Sequence, residues 1–463
     1  ERAILERVFF VKRKDVLIDG QRPVGRFATP PLPVEGAFRA LNPERQFLRR
    51  HLPPTTPLTC QQFVDTYRGR KKTMYGNAAS EFMRRGVTRQ DACVSSFVKA
   101  EKINFTAKPD PAPRVIQPRS PVYNVGVGRF IRRIEHDIYK AINHMFGETV
   151  VAKGLNAEQT GKLMQKKWQR FNRPVGVGLD ASRFDQHCSR QALEWEHSIY
   201  LGCFRGPARA ELQRYLRWQR VNKGYGRTPD GKLRYQVDGC RMSGDMNTAL
   251  GNVLIMCSMV HAYMRSIGVR KYSFMNNGDD CLVIMERRHL PRFDNLGGWF
   301  AQRGYQMTIE EPEFVLEKLV FCQTQPVFNG HNYVMVRQYP IALAKDLVTL
   351  KDVKTEGAWR TQCTSIGHCG LSLTSGIPVY QQFYTSLIVG SKVDRDDRMT
   401  GMKYMARGMV ADYRPISPKA RLSFMLAFDI LPDHQTAIED MHKPLKQFQP
   451  YAQALELPTQ KWY

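Results

Sequence analysis

This chain is short of acidic residues. Over 463 residues it carries 43 Asp and Glu against 69 Lys and Arg, a formal net charge of +26. A deficit of that size implies an anionic partner, either nucleic acid or an acidic membrane surface. Charge alone does not choose between them. The ten cysteines include no Cys-x-x-Cys pair, and no secretory signal precedes them. That argues against a disulfide-framed secreted domain, and the thiols read as reduced, intracellular and mostly core. Cys363, His368 and Cys369 lie close enough in sequence to raise zinc, but a second clear pair of ligands is missing. An uninterrupted apolar span is also missing. The longest uncharged run, Met246 to Met264, holds Asn247, Asn252, Ser258 and His261, so it fits a buried helix better than a membrane crossing. Internal repeats and low-complexity tracts are absent. The first residue is Glu1 rather than Met, which reads as a fragment or processed product whose targeting or membrane segment would lie upstream.

What is present argues for a folded protein with a basic face. Hydrophobic residues make up 42% of the chain and aromatics 11%, too many for a disordered basic tail. The length suggests two to four lobes. Residues 1–95 are basic and bent by proline at Pro30-Pro31-Leu32-Pro33 and Pro53-Pro54, with Arg49-Arg50, Arg68-Gly69-Arg70-Lys71-Lys72 and Arg84-Arg85 beside Tyr67 and Tyr75. From Phe97 to Arg119 the chain reads as loop or irregular strand. Gly126 to Met145 has the apolar spacing of a packed helix, and Tyr225 to Val237 reads as a hairpin turning at Pro229-Asp230-Gly231. A second amphipathic segment covers Leu290 to Gly304, and short strands surround Phe321-Cys322-Gln323 and Tyr333 to Val336. Helical periods dominate from about residue 340 onward.

Three acid-bearing segments carry the chemistry. In Phe274-Met275-Asn276-Asn277-Gly278-Asp279-Asp280-Cys281-Leu282, two carboxylates sit at a glycine bend between apolar runs of strand length. Two adjacent carboxylates at a hairpin tip repel each other, and a hard divalent cation with oxygen ligands suits them. With average residue frequencies a Gly-Asp-Asp arises in a chain this long about one time in ten, so its context must decide. Asp180, at the end of the apolar run Pro174 to Leu179, can join Asp279 in holding cations. Asp185, five residues on, lies too far along an extended chain for direct ligation and suits a ribose hydroxyl. In Ser243-Gly244-Asp245-Met246-Asn247-Thr248-Ala249-Leu250-Gly251-Asn252, the glycine lets the loop turn, and Thr248 and Asn252 fall one helical turn apart. Sugar hydroxyls would satisfy their polar groups.

Taken in order, Asp-x-x-x-x-Asp, Ser-Gly-x-x-x-Thr-x-x-x-Asn and Gly-Asp-Asp resemble motifs A, B and C of the RNA-dependent RNA polymerases of positive-strand RNA viruses. The wording Gly178-Leu179-Asp180-Ala181-Ser182-Arg183-Phe184-Asp185-Gln186-His187 and Asn276-Asn277-Gly278-Asp279-Asp280 resembles that of the tombusvirus and carmovirus group, with umbraviruses and dianthoviruses as relatives. The resemblance covers most of residues 95–390. It implies an α+β right hand. The N-terminal basic extension and fingers would span 1–95, and fingers with motif F 96–172. A palm with motifs A to E would span 173–334, with a fingers insertion near 216–240, and a helical thumb and tail 335–463. It implies Mg²⁺, with Mn²⁺ as substitute, on Asp180, Asp279 and Asp280. Asp185, Ser243, Thr248 and Asn252 would recognise ribose. Lys99, Lys102 and Arg114 would bind the NTP phosphates as motif F, with Arg119 less securely placed. Phe321-Cys322-Gln323 would support the nascent 3′ end as motif E. For the basic residue of motif D, Arg303 and Lys318 are the candidates. Implied partners are single-stranded viral RNA template, nascent RNA, NTPs, a viral auxiliary replication protein and host factors, without a membrane anchor in this fragment. The implied location is the host cytoplasm, at membrane-associated replication complexes. The resemblance also suggests de novo initiation, and Phe448, Tyr451, Trp462 and Tyr463 could stack on an initiating nucleotide or pack as a tail.

A reverse transcriptase shares paired acids on a palm, but a bulky ribose-excluding side chain would replace the acid-and-amide pair Asp185 and Asn252. A non-catalytic RNA-binding replication protein satisfies the charge and leaves the three acid-bearing segments without a purpose.

Overall fold

Val175, Val177 and Leu179 alternate with Gly176 and Gly178, the pattern of a strand covered on both faces. The computed structural model, which describes residues 1–12, 27–103, 110–351, 353–394 and 405–442, makes this the heart of a sheet. Lys108 and the aromatics Phe448, Tyr451, Trp462 and Tyr463 lie outside the described residues. Among those described, the strands are β1 (Val11–Lys12), β2 (Phe27–Ala28), β3 (Val94–Val98), β4 (Val115–Ile116), β5 (Pro174–Ala181), β6 (Val221–Thr228), β7 (Gly231–Asp238), β8 (Tyr272–Asn277), β9 (Asp280–Glu286), β10 (Met307–Ile309), β11 (Thr324–Phe328) and β12 (Tyr333–Arg337). The fold is a mixture of helices and largely antiparallel sheets. Among the described strands, only β3 and β6 pair in parallel.

The central sheet has the order β10-β5-β9-β8, antiparallel throughout. Val175, Val177, Leu179, Val283 and Met285 face one core, built with the helices Pro121–Phe146 and Thr248–Ser266. Met275, Leu282 and Ile284 face a second core, formed with Leu319 and the C-terminal helices. The helix Thr248–Ser266 is buried almost from end to end, as its apolar composition requires. Among the described residues, no helix is long and apolar enough to cross a membrane.

A second sheet, β4-β3-β6-β7, carries the hairpin read from the sequence, and Thr228 pairs with Gly231 across Pro229-Asp230. One reading needs correction. Phe321-Cys322-Gln323 is not strand. Cys322 and Gln323 take φ of 53° and 61°, and Phe321 and Thr324 exchange backbone hydrogen bonds of 2.9 and 3.1 Å. That is a two-residue turn with both central residues left-handed, which the β-favouring aromatic did not reveal. The segment 290–304 also splits, into a 3₁₀ stretch Arg287–Phe293 that contains Pro291 and the helix Leu296–Ala301, since proline removes a helical hydrogen-bond donor. Cys363, His368 and Cys369 are spread along the helix Glu356–Thr374.

Candidate active site

The register of the central sheet brings two of the predicted acids together. Asp180 on β5 stands directly across from Asp280 on β9, and its other neighbour is Thr308 on β10. Asp279 occupies the tight turn from β8 to β9 beside Gly278, whose φ of +85° suits glycine. Asn276, fully buried, shapes this turn from beneath. Its Nδ2 donates to the Gly278 carbonyl at 2.7 Å, and its Oδ1 accepts from the Gly278 N–H at 3.3 Å. The turn also meets the one at Cys322, since Asn277 Nδ2 donates to Cys322 Sγ at 3.3 Å. Asn276 and Asn277 carried no predicted role. An amide two residues before a glycine bend is the signal that could have found the first of them.

Like charges opposite each other across strands are unfavourable, and proton affinities register it. Partial removal from water pushes Asp279 up to about 6, and repulsion from Asp280, Asp185 and Asp180 adds to it. Removal from water also raises Asp280, with Asp180 contributing. Glu310, following β10, is a further carboxylate in this field, raised by partial burial and by Asp180 and Asp280. Nothing in the sequence singled it out. The donor set is all oxygen and anionic, so it fits a hard divalent cation. Among the described residues, no three His, Cys, Asp or Glu side chains are already gathered around one point. A cation would have to draw the carboxylates in.

Beside this cluster lies a polar set centred on Asp185. Ser243 Oγ donates to Asp185 Oδ2 at 2.7 Å, and Asn252 Nδ2 donates to Asp185 Oδ1 at 2.9 Å. Asn252 Oδ1 is buried with no hydrogen-bond partner among the described residues. Thr248 is not part of this set, because its hydroxyl donates to the Met242 carbonyl at 3.0 Å and closes the loop. Gly244 is required for a different reason than turning. A Cβ there would stand 2.7 Å from the Pro118 backbone nitrogen. The short helix bearing Asp185 is held from behind by the N-terminal segment: Arg183 Nη1 donates to the Glu6 and Phe10 carbonyls at 2.5 and 3.2 Å, and Gln186 Nε2 donates to Phe10 at 2.9 Å.

The basic residues divide. Lys99 and Arg114 are exposed, adjacent through a 2.9 Å backbone hydrogen bond, and share Glu101 at 3.3 and 3.5 Å. Lys102 Nζ donates to the Lys345 carbonyl at 2.6 Å, tying this loop to the C-terminal helices. Arg119 is not available to a ligand. It is buried, with Nε 2.5 Å from Asp245 Oδ1. Arg303 lies over the Trp299 ring at 3.3 Å, where burial lowers its proton affinity to about 10. Lys318 pairs with Asp429 at 2.5 Å. Both motif D candidates therefore have partners of their own.

The order of acids, the hairpin bearing two of them and the polar set at Asp185 agree with the comparisons to known proteins. Residues 1–447 match the family described as viral RNA dependent RNA polymerase. The chain is 42% identical over 451 residues to the RNA-directed RNA polymerase of tobacco necrosis virus (strain A), covering 96% of this chain and 60% of that protein. It is 41% identical over 444 residues to that of tomato bushy stunt virus (strain Cherry), covering 95% and 52%. For turnip crinkle virus the identity is 40% over 455 residues, covering 96% and 57%. The chain thus spans between about half and 60% of these relatives. With the match running through nearly its whole length, this chain belongs to the viral RNA-dependent RNA polymerase family.

Proposed function

We propose that this chain performs template-directed RNA synthesis, transferring nucleotides from NTPs to the 3′ hydroxyl of a growing strand during replication of a positive-strand RNA genome. One observation carries the reading: Asp180 and Asp280 face each other across β5 and β9, with Asp279 at the adjoining turn. Asp180 and Asp279 would hold Mg²⁺ or Mn²⁺, with Asp280 as the lesser partner. When bound, such ions activate the attacking hydroxyl, steady the leaving pyrophosphate and offset the charge that develops between them. Lys99 and Arg114 would lie along the triphosphate, joined by Lys102 once it leaves the Lys345 carbonyl. The Cys322 turn would brace the nascent 3′ end. In this reading the N-terminal region and the β4-β3-β6-β7 sheet make the fingers, the central sheet the palm, and the helices after β12 the thumb. Incubating the protein with RNA template, four NTPs and Mg²⁺ tests it. Complementary RNA is expected, and its absence under both Mg²⁺ and Mn²⁺ would overturn the reading.

The Asp185 set favours ribonucleotides over the deoxyribonucleotides of a reverse transcriptase. Asp185 is oriented by two donors, and the unpartnered Asn252 Oδ1 can accept a sugar hydroxyl. Asn252→Ala removes both the donor and that acceptor. Discrimination between NTP and dNTP is expected to fall about tenfold, the factor equivalent to one hydrogen bond of ~1.4 kcal/mol. Single-nucleotide incorporation with matched NTP and dNTP measures it.

Metal binding should compete with protons. In the metal-free protein Asp279 keeps its proton up to about pH 6, so below that pH a cation must displace it. The Mg²⁺ concentration for half-maximal synthesis is expected to rise by up to about tenfold per pH unit below 6 and to level off above 7. A Mg²⁺ requirement unchanged from pH 7 to pH 5 would contradict a ligand role for Asp279.

A further inference from the structure

Residues 2–10 meet all three segments that would hold the nucleotide. They form a short helix, Arg2–Ile4, that runs into a π-helical turn, Leu5–Phe9, closed by the Phe10 N–H on the Leu5 carbonyl at 2.9 Å. Such turns are rare and gather at functional sites. The apolar side of the segment packs in a small core. There Ala3, Ile4 and Val8 join Val115, next to Arg114, and Met242, next to Ser243.

The polar side ties the same segments by hydrogen bonds. Arg183 and Gln186 flank Asp185, and both donate to carbonyls of the segment: Arg183 to Glu6 and Phe10, Gln186 to Phe10. In the other direction Arg7 Nη2 donates to the Ala112 carbonyl at 2.7 Å, two residues before Arg114. Arg2 pairs with Asp110 at 2.6 Å. The Glu6 carboxylate, 3% exposed, lies between the two ends, 2.6 Å from Arg2 Nε and 3.8 Å from Arg183 Nη2. Arg183 itself takes the left-handed backbone, with φ of 49°. A residue with a Cβ holds that conformation at a cost, where its surroundings impose it. Here the strained residue stands two before the acid assigned to the sugar.

We propose that residues 2–10 are a brace and Arg183 a positioning residue, through which the brace holds Asp185 in fixed register with Arg114 and so sets the discrimination between ribose and deoxyribose. The inference deepens the polymerase reading and rests on it. A nucleotide gripped at its triphosphate and at its sugar must fit the span between the two grips. Its 2′ hydroxyl meets Asp185 and Asn252 only when that span is held, and a misplacement of about 1 Å can cost about a hundredfold in a positioned reaction. No atom of the brace needs to touch the nucleotide for this.

Single-nucleotide incorporation with matched NTP and dNTP tests it in the variants Arg183→Ala, Gln186→Leu and Arg7→Ala. Arg183→Ala is expected to lower the discrimination about fivefold, mainly through a higher KM for NTP. Gln186→Leu adds no charge and leaves the Phe10 carbonyl its bond from Arg183, so the fold is kept and a loss of about threefold is expected. Arg7→Ala leaves both contacts beside Asp185 intact, and is still expected to lower discrimination about threefold. A merely local support of Asp185 would not respond to Arg7. With Asn252→Ala added, the loss from Arg183→Ala should fall short of the product of the single losses, since both act through Asp185. Unchanged discrimination in Arg183→Ala and Gln186→Leu would overturn the positioning role, and unchanged discrimination in Arg7→Ala would overturn the brace. Hydrogen exchange separates these failures from failure of the polymerase reading. Whether or not the wild type makes RNA, Arg183→Ala is expected to speed exchange at residues 111–116, and exchange unchanged there would also overturn the brace.

Discussion

Asp279→Asn is expected to reduce RNA synthesis at least about a thousandfold while leaving the fold intact. The amide keeps the shape of the side chain, and the turn is organised by Gly278 and the buried Asn276 rather than by the carboxylate. What is lost is charge and a hard oxygen donor, and a neutral amide holds a divalent cation far less well than a carboxylate. A loss of several kcal/mol of transition-state stabilisation follows, and about 4 kcal/mol corresponds to a thousandfold. Asp280→Asn should cost less, because Asp280 already shares its position with Asp180 across the strands and leans on Cys322. Single-turnover extension of an annealed primer by the two variants measures the difference. Synthesis by Asp279→Asn within tenfold of wild type would move the essential ligand elsewhere.

The largest expected effect on stability lies behind the loop that carries Ser243. Glu196 and Arg241 form an ion pair with side chains 0% and 1% exposed. Burial by itself would push the Glu196 carboxyl up, and the Arg241 guanidinium against it holds it down. Asn247 Nδ2 adds a hydrogen bond to Glu196 at 2.8 Å, and Gln219 Nε2 donates to Asn247 at 3.0 Å. At the other end of the loop, Arg119 pairs with Asp245 and reaches Asn222. Two buried ion pairs thus hold residues 241–247 in place, and with them the Ser243 hydroxyl that orients Asp185. Glu196→Gln strands the Arg241 charge away from water, a loss of about 3–5 kcal/mol. A lower melting temperature on the order of 5 °C is expected. Glu196→Met with Arg241→Met should recover part of it, since no buried charge remains, though Asn247 still lacks its acceptor. A melting temperature for Glu196→Gln within a degree of wild type would show that the pair is not holding the loop.

Much of this was legible in the chain. The apolar alternation from Pro174 to Leu179 predicts the strand ending at Asp180, and the Asn-Asn-Gly-Asp-Asp bend predicts the hairpin, because both depend on local periodicity and turn chemistry. Other features were hidden because they depend on contacts between distant residues. Thr248 and Asn252 share a helix face, yet only Asn252 reaches Asp185, since the preceding loop offers the Met242 carbonyl to Thr248 first. Arg119, the less securely placed of the motif F cations, is buried against Asp245, 126 residues on. The Phe321-Cys322-Gln323 turn misled because neither left-handed residue is glycine or asparagine.

By itself the sequence determined which residue types exist, their spacing and their order: three acid-bearing segments, a buried apolar helix, a basic surface and membership of a polymerase family. The tertiary structure alone decided which of them meet. It set Asp180 against Asp280, gave Asp185 its two donors and buried Arg119 against Asp245. The physical reason is that strand register and side-chain burial are set by packing among segments far apart in the chain, where local propensity carries no information.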